Sequence, residues 1–132
     1  MNNVMEDKLI FVVDDDKVIL NLLEYTFKSR DGYVIRTFMS GEECLKHMDQ
    51  VPDLIVLDHL FYLEGKESMT GLDTLKCLKK LDFKVPVIIL SGQEDLNLIK
   101  EFIGNGAIKY IPKEDYFIDV LVESVERIVA YN

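Results

Sequence analysis

Five short apolar runs divide this chain of 132 residues, and four of them lead into side chains that can do chemistry. Those side chains are three successive aspartates after the first run, one aspartate after the third, a serine after the fourth and a lysine shortly after the fifth, namely Asp14, Asp15, Asp16, Asp58, Ser91 and Lys113. Carboxylates attract cations, whereas a hydroxyl and an ammonium can hold anionic oxygens. If the fold brings these groups together, they form a charged site.

The carboxylates among these residues favour a divalent cation. Two carboxylates about 4 Å apart repel each other by roughly 4 kcal/mol at an effective dielectric constant near 20. A bound cation removes that cost, and carboxylate and carbonyl oxygens suit Mg²⁺ or Mn²⁺ better than Zn²⁺. The two histidines, His47 and His59, form no cluster with cysteines that would select a softer metal.

The apolar runs alternate with longer segments of helical period, which predicts five strand–helix units. The predicted strands are Leu9–Val13, Tyr33–Phe38, Leu54–Leu57, Val85–Leu90 and Ile108–Ile111. The predicted helices follow Asp16, run from the Ser40 cap to about Met48, and cover Gly71–Leu81, Asp95–Ile103 and Tyr116–Val129. Such alternation is typical of an α/β fold with a doubly wound parallel sheet. Because the crossovers are right-handed, the carboxyl ends of the strands meet at one edge, where ligands bind.

Composition restricts the class of protein. The length and the 48% hydrophobic content favour a single globular domain over residues 1–132. A formal net charge of −9 argues against nucleic acid or an anionic membrane as a direct partner. No run approaches the length of a membrane span, and the first residues lack a leader-type apolar segment, so we expect a cytoplasmic protein. Cys44 and Cys77 have no metal-type spacing, and we expect reduced thiols.

Four motifs together resemble the receiver domain of two-component response regulators. They are Phe11-Val12-Val13-Asp14-Asp15, Asp53-Leu54-Ile55-Val56-Leu57-Asp58, Val85-Pro86-Val87-Ile88-Ile89-Leu90-Ser91-Gly92 and Gly106-Ala107-Ile108-Lys109-Tyr110-Ile111-Pro112-Lys113. The resemblance covers nearly the whole chain and is closest in type to single-domain chemotaxis regulators. It implies a flavodoxin-like (βα)₅ fold with strand order 2-1-3-4-5. Either a standalone regulator or phosphorelay intermediate that acts through protein contacts, or a piece of a larger regulator or hybrid kinase, fits these residues.

The resemblance implies a phosphorylation site and a magnesium site. Asp58 holds the position that accepts a phosphoryl group from a phosphohistidine of a histidine kinase or a histidine phosphotransfer protein. Asp15, Asp58 and the backbone carbonyl of Leu60 would bind Mg²⁺, or Mn²⁺, directly. Asp14 would act through a metal-bound water.

The resemblance also implies a switch. Lys113 would pair with Asp58 and then with the phosphoryl oxygens, and Ser91 would hydrogen-bond the phosphoryl group. Tyr110 matches an aromatic position that turns inward behind Ser91. The two together would alter a protein-binding face made of the fourth helix, the fifth strand and the fifth helix. That face would contact a downstream target, with a phosphorylation-dependent homodimer as one further outcome.

Two segments depart from the family pattern. The loop 59–70 is longer than is usual, and Tyr62 stands where the family has proline. This loop either packs onto the sheet or contacts a partner. Glu114 follows Lys113 where the family has proline, although the lysine itself is in register.

Two rival interpretations remain open from the residues alone. Asp14 to Val18 also fits the nucleophile motif of haloacid-dehalogenase-type phosphatases, in which Asp14 would be the nucleophile and Asp16 the general acid and base. That interpretation leaves Asp58 without a role. The second rival is a receiver-like binding module that works without phosphorylation. In the preferred interpretation the protein is not an enzyme, and it catalyses only its own phosphorylation and dephosphorylation.

Overall fold

The computed structural model describes residues 7–59, 69–92 and 95–130, in which five strands and five α-helices alternate. The strands are β1 Lys8–Val13, β2 Tyr33–Phe38, β3 Leu54–Asp58, β4 Val87–Ser91 and β5 Lys109–Pro112. The helices are α1 Lys17–Lys28, α2 Gly41–Lys46, α3 Gly71–Lys80, α4 Leu96–Gly104 and α5 Phe117–Val129, and a short 3₁₀ turn covers Met48–Gln50. The element order predicted from the periodicity is therefore confirmed.

The five strands form one parallel sheet in the order β2-β1-β3-β4-β5. Each strand leads into a helix that returns the chain across the sheet, as in doubly wound α/β folds. The predicted fold class and strand order are confirmed. All five strands end at the same edge, which we call the carboxyl edge; the opposite edge is the amino edge.

Alternate residues of each strand face opposite sides of the sheet, and each side is covered by helices. In β1, Ile10 and Val12 pack in one cluster with α1 and α5, whereas Phe11 and Val13 pack in a second cluster with α2, α3 and α4. All five residues of β3 and of β4 are buried. The apolar runs without polar alternation arise from this burial on two faces.

The fourth strand is shorter than predicted. It begins at Val87 rather than at Val85, because Pro86 has no N–H to donate to the sheet. The carbonyl oxygen of Pro86 still accepts a hydrogen bond from the backbone N–H of Ile55 at 3.0 Å. Pro86 therefore lies just before the first residue of the strand, and its carbonyl still takes part in the pairing with β3.

The second helix also ends earlier than predicted, at Lys46 rather than near Met48. The chain then tightens into the 3₁₀ turn, and Val51 follows it with φ 55°. Pro52 disfavours a right-handed helical conformation of the residue before it, so the helix cannot continue into β3. A β-branched residue with positive φ is rare.

Side chains at the carboxyl edge start the helices. Asp16 accepts a hydrogen bond from the N–H of Val18 at the start of α1, and Asp95 accepts one from Asn97 at the start of α4. Thr70 and Asp73 form a reciprocal capping box at the start of α3. Within the described residues, no helix is both long and apolar enough to span a lipid bilayer.

Candidate functional site

The sheet register brings the predicted site residues together at the carboxyl edge. Val13 lies opposite Leu57 on the neighbouring strand, so Asp14 and Asp58 follow side by side. The N–H of Lys113 donates to the carbonyl oxygen of Ser91 at 2.6 Å, which continues the pairing of β4 with β5. The sequence pattern alone supplied the order of these residues, and the register supplies their proximity.

Three of the four candidate aspartates form a compact acidic cluster. One carboxylate oxygen from each of Asp14, Asp15 and Asp58 lies within 4.8 Å of the others. Asp14 and Asp58 are buried, with 1% and 6% of their surface exposed. Asp16 is exposed and outside this cluster, where its side chain caps α1. The acidic run therefore divides into two cluster residues and one capping residue.

Lys113 bridges two of the clustered carboxylates. Its Nζ donates to Oδ1 of Asp58 at 2.8 Å and to Oδ2 of Asp14 at 3.1 Å. The pairing with Asp58 was predicted from the resemblance, but the pairing with Asp14 was not. The lysine side chain is 20% exposed, so the ion pairs are screened less than surface pairs.

Burial and charge shift the proton affinities of this cluster. Desolvation and then the nearby charge of Asp58 raise the pKa of Asp14 from 3.8 to about 6. Burial by itself disfavours the charged form of Lys113, but the two carboxylates outweigh it and raise the pKa of the ammonium. The cluster therefore has more negative charge than Lys113 alone can neutralise, which makes a further cation favourable.

Asp14 is poorly placed to act as a nucleophile. Its Oδ1 accepts a hydrogen bond from the N–H of Asp16 at 2.9 Å, and its Oδ2 accepts one from Lys113. Both oxygens of Asp14 therefore already accept hydrogen bonds, and the residue is less exposed than Asp58, at 1% against 6%. This geometry disfavours the phosphatase interpretation.

Ser91 and Tyr110 lie on neighbouring strands behind the cluster. Ser91 is fully buried at the end of β4, one position beyond Leu90, which pairs with Asp58. Tyr110 is half-buried on β5 and packs in the same core cluster as α4. Ser91 is therefore on the strand next to that of Asp58, and Tyr110 is one strand further along the sheet.

A glycine that the sequence analysis did not single out sets the position of α3. A Cβ added to Gly71 would overlap the carbonyl oxygen of Asp58 and lie 3.0 Å from the Cα of His59. The N–H of Gly71 donates to the carbonyl oxygen of His59 at 3.1 Å. Only glycine allows the start of α3 to approach the backbone of the site this closely. The sequence signal was present, since Gly71 opens a helical run after the loop.

His59 was expected to be a packing or surface residue, and it packs. Its ring contacts Phe102 of α4 edge to face, with ring centres 5.2 Å apart. Burial lowers the pKa of the imidazole. Leu60, whose carbonyl was expected to bind metal, lies outside the described residues together with most of the loop that contains Tyr62.

Comparison with known proteins agrees with this geometry. Residues 10–126 match the family model of the response regulator receiver domain. The signal receiver domain of a LuxO repressor protein from Vibrio parahaemolyticus has the same fold, with a TM-score of 0.83 over 95% of this chain and 92% of that one, at 23% identity.

Two longer relatives contain a similar segment. The alkaline phosphatase synthesis transcriptional regulatory protein PhoP of Bacillus subtilis is 34% identical over 67% of this chain and 35% of its own length. A protein-glutamate methylesterase/protein-glutamine glutaminase of Treponema denticola is 35% identical over 83% of this chain and 29% of its own length. The chain thus spans about a third of each relative. By its match to the family model, its fold and its acidic cluster, the chain belongs to the receiver domains of two-component response regulators.

Proposed function

We propose that Asp58 accepts a phosphoryl group from a phosphohistidine of a histidine kinase or a histidine phosphotransfer protein. The observation that carries the proposal is the pairing of Asp58 with Lys113 inside a cluster of three carboxylates. Of these, Asp58 alone both contacts Lys113 and ends the central strand β3. The continuous sheet, covered on both faces, supports one receiver domain over residues 1–132.

The same carboxylates fit a divalent cation. Their oxygens are close enough to share one ion. The pKa of Asp14 is raised first by burial and then by the charge of Asp58, and a bound cation would offset both effects. We propose that Asp15, Asp58 and the backbone carbonyl of Leu60 hold Mg²⁺, with Asp14 acting through a water; Mn²⁺ has the same preference for oxygen. When bound, the ion would neutralise carboxylates and phosphoryl oxygens.

The transfer step itself is a displacement at phosphorus. An oxygen of Asp58 forms the new P–O bond, the P–N bond to the donor imidazole breaks, and its electron pair stays on the nitrogen. Lys113 and Ser91 then hold phosphoryl oxygens. Such transfers depend mainly on positioning and on charge stabilisation. Before transfer the three carboxylates balance Lys113 and the cation, and afterwards about one negative charge is in excess, since a phosphoryl group carries roughly two.

The output would be a change in a protein-binding face. We propose that Ser91 and Tyr110 respond to the phosphoryl group and alter the surface of α4, β5 and α5. This surface already exposes apolar side chains, including Leu96, Ile103 and Val120. Exposed apolar residues of this kind suit a protein target or a second phosphorylated copy, and the net charge of −9 disfavours direct contact with nucleic acid.

The two cysteines of the described residues are unpaired, which supports a reducing, cytoplasmic setting. We also propose that the protein has no catalytic activity beyond its own phosphorylation and dephosphorylation. The matched methylesterase is a longer chain, of which this one spans less than a third. We therefore do not assign the methylesterase activity named for that relative to this chain.

The test is covalent labelling with phosphoramidate and Mg²⁺, followed by intact mass measurement and peptide mapping. We expect a labile phosphoryl adduct on Asp58 that is absent in Asp58→Asn and in excess EDTA. Asp53→Asn, at the other end of β3, is the matched control and should label like the wild type.

Each alternative has its own result in this assay. An adduct on Asp14 would support the phosphatase interpretation and overturn ours. Efficient labelling in EDTA would contradict the metal site. If Mg²⁺ and phosphoramidate give no adduct at all, the protein behaves as a phosphorylation-independent module and the proposal fails.

A further inference from the structure

Three aromatic rings connect the residue next to Asp58 with the proposed output face. The ring of His59 meets Phe102 edge to face, with centres 5.2 Å apart and planes at 88°. Phe102 in turn meets Tyr110, with centres 5.9 Å apart and planes at 50°. The rings come from the end of β3, from α4 and from β5, so they cross three elements of the fold.

The backbone at the first ring is fixed on both sides. The N–H of His59 donates to the carbonyl oxygen of Leu90 at 3.0 Å, and the carbonyl of His59 accepts from the N–H of Gly71 at 3.1 Å. Within the described part of the chain, the buried Nδ1 of the ring has no hydrogen-bond partner. Packing contacts such as that with Phe102, rather than a hydrogen bond at this nitrogen, therefore orient the ring.

The central ring has no freedom to move alone. Phe102 is fully buried, and it shares its core cluster with Tyr110 and with residues of β1 and β4, the two strands that flank β3. Its carbonyl oxygen also accepts the N–H of Ala107, at the turn that leads into β5. In a closely packed interior, a shift of one ring has to be met by a shift of the rings that touch it.

We propose that Phe102 is a positioning residue that transmits the state of Asp58 from His59 to Tyr110. The inference rests on the proposed phosphorylation of Asp58. It adds a route through α4 to the response already proposed for Ser91 and Tyr110. The response of Tyr110 to phosphorylation measures this coupling directly.

The experiment follows Tyr110 by fluorine NMR in protein labelled with 3-fluorotyrosine. The chain has six tyrosines, and the resonance of Tyr110 is assigned by its loss in Tyr110→Phe. Spectra of the wild type and of Phe102→Leu are recorded with Mg²⁺, before and after excess phosphoramidate. Intact mass of the same samples gives the fraction phosphorylated.

Phe11→Leu is the matched control. Phe11 is also a fully buried phenylalanine of the same core cluster, but its ring contact is with Phe38. A general loss of packing should therefore affect both variants alike. If Phe102→Leu does not fold, Phe102→Met, which keeps the volume but not the ring, takes its place.

We expect phosphorylation to shift the Tyr110 resonance in the wild type and in Phe11→Leu. In Phe102→Leu the shift should be at least two-fold smaller at an equal phosphorylated fraction. Three results would each overturn the inference: a full shift of the Tyr110 resonance in phosphorylated Phe102→Leu, an equal reduction of the shift in Phe11→Leu, or no shift in the phosphorylated wild type. Absence of the adduct from the wild type would instead overturn the proposed function.

Discussion

The two ends of β3 carry the same kind of side chain in opposite surroundings. At the amino edge, Asp53 accepts a hydrogen bond from the backbone N–H of Leu9 at 2.8 Å, which ties the start of β3 to β1. At the carboxyl edge, Asp58 lies among two further carboxylates and pairs with Lys113. Asp53 therefore accepts a backbone hydrogen bond, whereas Asp58 belongs to a cluster of negatively charged side chains.

The difference lies in what neighbouring strands deliver to each edge. Within the described residues, the only group of three metal-type side chains is the one that contains Asp58. The amino edge instead has two grooves that share the segment Phe83–Pro86 in their lining. The side chain of Lys84, in this segment, is 84% exposed and pairs with the equally exposed Asp82. A carboxylate becomes chemically useful in this fold when several strand ends meet around it.

The lysines of the two edges give the largest expected contrast. Lys113→Met removes the ammonium that contacts Asp58 and is proposed to hold the phosphoryl group. Loss of one such donor typically slows a reaction about 10²-fold. We expect a decrease of roughly that size in the initial rate of labelling by phosphoramidate, and no change in Lys84→Met. Equal rates of labelling in the wild type and in Lys113→Met would contradict the proposed role of the Lys113 ammonium in phosphoryl transfer.

The buried acid at the carboxyl edge should cost folding stability when no metal is present. The pKa of Asp14 is raised in the folded state, from 3.8 to about 6, so the folded state loses stability as Asp14 ionises. The loss is absent below pH 4 and complete above pH 6, where it amounts to about 3 kcal/mol. Asp14→Asn should therefore be more stable than the wild type by up to about 3 kcal/mol at pH 8.

Urea denaturation in EDTA at pH 8 and at pH 4 measures this difference. The advantage of Asp14→Asn should shrink toward zero at the lower pH, because both proteins are then neutral at that position. Asp16→Asn is the control, since asparagine caps a helix as well as aspartate does. A variant less stable than the wild type at pH 8 would show that the ion pair with Lys113 outweighs the burial of Asp14.

Glycine substitutions test the packing of each edge. Gly71→Ala places a methyl group against the backbone of Asp58, which cannot yield, and such overpacking costs about 1–3 kcal/mol. Gly32→Ala, before β2 at the amino edge, meets no atom within 4 Å but has φ +97°, which costs about 1 kcal/mol. We expect both variants to lose stability in urea, and only Gly71→Ala to label more slowly. Unchanged labelling there would show that α3 can shift without disturbing the site.

Magnesium should stabilise the protein through the carboxyl edge alone. At ten times its dissociation constant, a ligand of the folded state adds about 1.4 kcal/mol. We expect thermal unfolding of the wild type at pH 8 to move to higher temperature as Mg²⁺ is added, and Asp15→Asn to lose most of that gain. Asp53→Asn, which alters the amino edge, should keep it. If Asp15→Asn kept the stabilisation by Mg²⁺ and Asp53→Asn lost it, the ion would bind away from the carboxyl edge.

The sequence was informative wherever function follows from local pattern. The apolar runs predicted the strands, and the residues just after them predicted the edge at which Asp14, Asp58 and Ser91 meet. The errors were confined to element ends, such as the start of β4 at Val87, where the missing N–H of proline decided the boundary. The periodicity of apolar residues indicates which residues are buried, but it does not indicate which residues they contact.

Some features of the site could not be read from such patterns. That Lys113 bridges Asp14 as well as Asp58, and that the pKa of Asp14 is raised, depend on distances and burial among three strands. The ring contacts of Phe102 depend in the same way on where α4 lies against the sheet.

The order of the elements, the buried character of the apolar strands and the chemical types at the carboxyl edge thus follow from the amino-acid sequence. They depend on covalent order and on apolar runs without polar alternation. Three-dimensional packing was needed to show which charges touch, which glycine lets a helix approach the backbone of Asp58, and which rings meet. Those relations join residues that are far apart in the chain, and their separation is fixed only when both faces of the sheet are packed.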